Sequence, residues 1–296
     1  MTFFEYYLQI LLFTAAVPLG LGVAVYFCYR AFCSLVGVRR GKPILWLLHV
    51  ILTPLREFAH LVACVISFHH VSDFCLLNPY DPEGEIGFVE HSYNRKNPVA
   101  VFGNYLFAML PAVLGLFLSM VVVMVCFRGV FGDLSREVAA LVDAEAGFGE
   151  YAKVALDFFP AMFRDATSGI FAKIIGCLLL LLISLGVYVS LDDLYSAFSG
   201  MLLYAVLAMV FAGVTALFDA RSRRLILTWL RTFSTGVTAL YTVVLIFALA
   251  AVFSGFLVFL YRTFFGEGRA QLPVYVDQRS DTEDDDDDDY GDDRYR

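Results

Sequence analysis

The chain has 296 residues, 59% of them hydrophobic and only 17% charged, with a formal net charge of −8. A soluble globular domain is nearer half apolar and a quarter charged, so this composition excludes an ordinary water-soluble fold as the first reading. Residues 277–296 hold eleven acids and three bases, which accounts for the whole −8. Residues 1–276 are therefore net neutral and offer no general attraction for nucleic acid.

The hydrophobic excess falls in blocks of about twenty residues or more, the length that crosses ~30 Å of hydrocarbon at 1.5 Å per residue. In chain order the blocks are 6–29, 44–68, 98–127, 168–190, 196–217 and 233–261. They predict an all-α polytopic integral membrane protein of about six transmembrane helices, with a membrane domain over 1–266 and the lipid bilayer as its surroundings. No Lys or Arg precedes Arg30 and the early charge is Glu5, so a cleaved signal peptide is not expected.

A basic link (Arg30, Arg39, Arg40, Lys42) follows the first block, and a second (Arg221, Arg223, Arg224, Arg231) precedes the last. Placing both links and the 128–167 loop in the cytoplasm satisfies the positive-inside rule. Alternation through six spans then puts both termini outside.

In the 69–97 loop, Asn78 to Gly84 is dense in turn formers and separates Phe74–Leu77 from Ile86–Val89. Those two runs predict a small extramembrane hairpin. In the 128–167 loop, Leu134, Val138, Leu141 and Val142 recur at helical spacing. They predict a short amphipathic helix, either on the membrane surface or packed on the bundle.

Residues 267–296, with Asp284 to Asp289 in sequence, predict a disordered acidic tail. The six cysteines form no C-x-x-C pair and read as apolar fillers.

The informative block is 44–68. Its polar residues are His49, Thr53, Arg56, Glu57, His60, Cys64 and Ser67. At ~100° per residue they fall within an arc of about 100°. Leu45, Leu48, Ile51, Leu52, Leu55, Leu61 and Val62 take most of the remaining surface. Exposing Arg56 and Glu57 to lipid would cost about 5–7 kcal/mol on insertion scales. The stripe must therefore face the bundle interior or a water-filled cavity, and intramembrane ionisable residues are functional candidates. Two readings of Arg56 and Glu57 stand open: a neutralising ion pair, or part of a site with His60.

Arg56-Glu57-Phe58-Ala59-His60 resembles the H-E-x-x-H of the site-2-protease-like intramembrane zinc metallopeptidases, with Arg in place of the first His. Pro54 precedes it and Leu61-Val62-Ala63 follows. The hairpin with Gly87-Phe88-Val89-Glu90-His91 comes next, and then Phe102-Gly103-Asn104-Tyr105-Leu106 with Pro111 and Gly115. The likeness covers about sixty residues, Pro54 to Gly115, and is to the bacterial membrane metalloprotease branch. It implies a bacterial inner or plasma membrane.

The resemblance implies Glu57 as general base and His60 as zinc ligand, since such helices bind Zn²⁺ through two imidazoles one turn apart. It also implies an Asp ligand from a later span, for which Leu191-Asp192-Asp193 is the nearest echo. Arg56 cannot coordinate a cation. His91, beyond the hairpin, is a further candidate ligand, as in a site of His60, His91 and a carboxylate, while His69 and His70 are awkward together.

The leading expectation is thus a catalytically degenerate member with no bound cofactor, in which Arg56 occupies the metal's place and pairs with Glu57, with Asp192 or Asp193 as additional partners. Such a protein binds membrane-protein partners without cleaving them. An active zinc metallopeptidase with an unusual ligand set is the first alternative. The second is a small transporter or channel lined by the polar stripe.

Overall fold

The computed structural model describes residues 3–36, 42–78, 87–144, 146, 148–164, 168–186, 188–218 and 220–265. Arg39, Arg40, the tip of the proposed turn (79–86) and the acidic tail lie outside the described residues. The chain begins as a rod: α1 (Phe3–Leu11), a π-helical turn (Leu12–Ala16) and α2 (Val17–Val36). There follow α3 (Lys42–Ile66), strands β1 (His70–Cys75) and β2 (Phe88–Ser92), and α4 (Pro98–Cys126). The remainder is α5 (Val130–Asp143), α6 (Phe148–Arg164), α7 (Ile170–Ser184), α8 (Leu191–Ala216) and α9 (Ala220–Phe265).

Among the described residues, five segments are long and apolar enough to cross a bilayer: Thr14–Val36, Leu48–Ile66, Pro98–Cys126, Asp193–Ala216 and Thr228–Tyr261. Their outer faces carry large exposed apolar side chains, among them Leu202, Val206 and Phe211 on α8 and Phe253 on α9. A water-soluble protein does not expose such surface on so many helices. The chain is therefore a multi-pass helical membrane protein.

The block at 168–190 contributes α7, an apolar helix of only 15 residues, about 22 Å long. Packing explains why it stops short. Gly176 of α7 lies against Cys126 and Phe127 at the end of α4. Ile183 and Gly186 line one small cavity together with Pro111 and Gly115 of α4 and Leu52 of α3. Gly200 of α8 lies on Val101 and Tyr105. Hence α7 and α8 follow one another along α4 in the same direction. They do not form the antiparallel pair that six alternating spans require.

The rod and α9 also run parallel, since Gly22 meets Tyr241 while Phe32, Leu35 and Val36 meet Gly255. First and last spans of an even-numbered alternating bundle would be antiparallel. The break itself has local causes. Gly186 ends α7, and Ser190 starts α8 with a reciprocal capping box: Asp193 N–H donates to Ser190 Oγ and Ser190 N–H to Asp193 Oδ2.

Other expectations change as well. The second basic link is not a loop, because α9 runs unbroken for 46 residues through Arg221 and Arg231. The 128–167 segment is two helices rather than one. Leu134 and Val138 of α5 join Tyr151, Phe158 and Met162 of α6 in the same core cluster as Val123 of α4 and Phe247 of α9. Both helices thus pack on the bundle.

The hairpin forms, with Cys75 opposite Phe88 and Val71 opposite His91, and a bulge between Val71 and Asp73. It does not project away from the bundle. It folds back along α3 until Gly87 packs on Thr53, thirteen residues (66 − 53) before the helix end, or about 20 Å along its axis.

Candidate functional site

The polar stripe of α3 faces inward, as its chemistry demands: His60, Cys64 and Ser67 are buried. At its centre is Arg56. Its Nη2 donates to Asp193 Oδ2 at 2.8 Å, its Nη1 to the Tyr188 hydroxyl at 2.8 Å, and its Nε to His60 Nε2 at 3.3 Å. The guanidinium also lies over the Tyr188 ring, 5.0 Å from its centroid. Side-chain exposure of 23% for Arg56 and 10% for Asp193 marks this as a desolvated ion pair. Such pairs are held by added hydrogen bonds as much as by attraction.

Asp193 also sits in the first turn of α8, where the helix dipole favours a negative charge. The salt bridge of Arg56 is made to Asp193, one of the additional partners expected for it. Adjacent residues on a helix point ~100° apart and do not face one another. Glu57, half-buried, remains close enough to attract Arg56. Asp192 is in α8, but its side chain lies outside the described residues.

The state of His60 follows from α4. Pro111 has no N–H, so the Phe107 carbonyl four residues earlier lacks its helical donor. His60 Nδ1 lies 3.1 Å from that oxygen. A carbonyl only accepts, so Nδ1 carries the proton and Nε2 presents its lone pair to the Arg56 Nε–H. The nitrogen available for a metal is thus already engaged by arginine.

A further chain of contacts supports Tyr188. Tyr29 stacks on it with centroids 4.8 Å apart, and the Tyr29 hydroxyl is 2.7 Å from His49 Nε2. Thr53 faces Gly87 of the hairpin.

His91 does not join His60. The Phe107 ring packs on both imidazoles, with centroids 4.0 Å from His60 and 4.4 Å from His91. Among the described residues, the expected grouping of His60, His91 and a carboxylate is not formed. His91 instead meets His69 and Cys64. His91 is held below the ordinary imidazole range, first by burial and then by neighbouring His69, so at neutral pH it is uncharged. His70, one residue on from His69, is exposed.

Tyr188, Tyr29 and Phe107 carry no sequence signal that ties them to Arg56, from which they are remote along the chain. Pro111 is the one residue that could have marked the Phe107 carbonyl, through its missing N–H.

The chain matches no family model, no curated protein and no solved structure. Fold and site by themselves define its class: a multi-pass helical membrane protein with an arginine-centred polar site inside its bundle, bounded by α2, α3, α4 and the α7–α8 break.

Proposed function

We propose that this chain is a catalytically silent relative of the site-2-protease-like intramembrane metallopeptidases, one that engages membrane-protein partners without cleaving them. The observation that carries the reading is the position of Arg56. Its guanidinium lies between His60 Nε2, which the resemblance assigns to zinc, and Asp193 Oδ2, the chain neighbour of the Asp192 that the Leu-Asp-Asp echo would supply as ligand. A fixed positive charge there holds the imidazole lone pair that a metal would hold, together with a neighbouring carboxylate, but it polarises no water. The active-peptidase alternative loses support for the same reason, since His60 has no lone pair left to offer.

Arg56→His tests the reading because it recreates two imidazoles one turn apart on α3. Zinc content should rise by about one ion per chain above wild type, and the increment should vanish in Arg56→His/His60→Ala. Zinc in the wild type that disappears in His60→Ala would overturn the reading and restore the active peptidase.

The same proposal includes topology. We take α7 and α8 as a single broken crossing, which gives five crossings with the termini on opposite sides; the two basic links then fall on opposite faces, and residues 30–42 are placed in the cytoplasm together with the 128–167 segment. The C-terminal tail then lies in the cytoplasm. A cysteine placed in the tail of a variant lacking reactive native thiols should be labelled by an impermeant maleimide only after permeabilisation. Labelling in intact cells would overturn this arrangement.

A further inference from the structure

We propose that Cys64, His69 and His91 form a second, separate site for a borderline-soft divalent cation, zinc, where the end of α3 meets β2. The ligand atoms of these three residues all lie within 4.8 Å of one another. Tetrahedral zinc, with bonds of ~2.0–2.3 Å, holds its ligand atoms roughly 3.3–3.8 Å apart, so binding draws the donors together and turns the His69 and His91 rings, now stacked with centroids 5.0 Å apart, toward the ion. Cys64 and His69 are buried and His91 is half-buried.

The independent observation is at His69. Its Nε2 lies 2.8 Å from the Ala100 carbonyl and so bears the proton. The lone pair is then on Nδ1, and that atom is buried without a hydrogen-bond partner among the described residues. Orphaned buried polar atoms are rare because they cost free energy. A cation placed among the three donors satisfies this one. An imidazole whose other N–H is tied to a backbone carbonyl is also the arrangement that fixes the tautomer of metal-bound histidines.

The backbone delivers two of the donors together. The end of α3 closes with His69 N–H on the Cys64 carbonyl at 2.9 Å and Phe68 N–H on that of Val65. This is a Schellman arrangement in which Phe68 takes φ 58°, a position glycine usually fills. The motif sets Cys64 and His69 side by side, and the pleat of β2 turns His91 inward beside the buried Val89. Gly103 of α4 allows the close approach, since a Cβ there would lie 2.7 Å from His69 Nε2.

A thiolate with two imidazoles selects zinc over magnesium or calcium, which take oxygen ligands. The Phe107 ring separates the cluster from His60 and Arg56. The bound ion would pin the hairpin to α3 and α4. The proposal does not depend on the protease-like reading, and different variants report on the two.

The test uses full-length protein in detergent, stripped with a chelator, then equilibrated with Zn²⁺ or Co²⁺ alone. The expected result is about one zinc per chain, unchanged by His60→Ala and reduced more than about ten-fold by Cys64→Ser, His69→Gln or His91→Gln. With cobalt, the wild type should show a near-ultraviolet thiolate-to-metal charge-transfer band that Cys64→Ser abolishes while the protein stays monodisperse. Stripped wild type that takes up no zinc overturns the proposal. So does a cobalt complex without the thiolate band, or zinc that survives Cys64→Ser/His91→Gln.

Discussion

Arg56→Ala should destabilise the detergent-solubilised protein by about 3–5 kcal/mol, the range expected when one partner of a buried ion pair is removed. The loss arises because the Asp193 carboxylate, 10% exposed, would keep its charge in a poorly solvated place without its guanidinium. Asp193→Asn isolates the electrostatic part, since an amide can still accept from Ser190 N–H and preserve the start of α8. The double variant Arg56→Ala/Asp193→Asn should be more stable than the two single losses summed, by about 0.5–3 kcal/mol, because neither charge is then left alone. Thermal unfolding of the four proteins measures the cycle. Strict additivity would show that the 2.8 Å contact contributes nothing to the folded state.

Gly200→Ala should also be costly, by about 1–3 kcal/mol, because added volume at this crossing has nowhere to go. A Cβ at Gly200 would lie 2.6 Å from the Tyr105 nitrogen and 2.8 Å from the Val101 oxygen. Both are backbone atoms, so α4 and α8 must separate rather than a side chain turning away. Small residues at such crossings let membrane helices approach closely. Gly213→Ala is the internal control on the same helix. Nothing lies within 4 Å of the added carbon there, so it should gain up to about 0.5–1 kcal/mol from reduced chain entropy. A shared sign for the two substitutions in denaturant midpoint would contradict the close α4–α8 crossing.

The polar arc of α3 was legible before any coordinates, because a helix advances ~100° per residue and a bilayer penalises every misplaced charge. Arg56, His60, Cys64 and Ser67 therefore had to point inward, and the structure places all of them there or partly there. Which acid faces Arg56 was not legible. Glu57 is its chain neighbour and attracts it, but the salt bridge is made by Asp193, 137 residues away. The grouping of His91 with Cys64 and His69 rather than with His60 likewise depends on where the Phe107 ring lies.

Sequence alone determined the helical membrane character, the position of the long apolar helices and the inward stripe. Each follows from a periodic or compositional rule that acts locally along the chain. The tertiary structure decided the rest. Two apolar blocks, each read as a span, lie end to end along α4 because Gly176 and Gly200 let them approach it in series, while Gly186 at the break packs on Leu52 of α3. Hydropathy counts residues but does not record direction. The hairpin folds against α3 because Gly87 fits on Thr53. The protonation of His60 is set by a carbonyl that Pro111 releases on another helix. All of these are contacts between residues distant in the chain, and their energies exist only once the helices have packed.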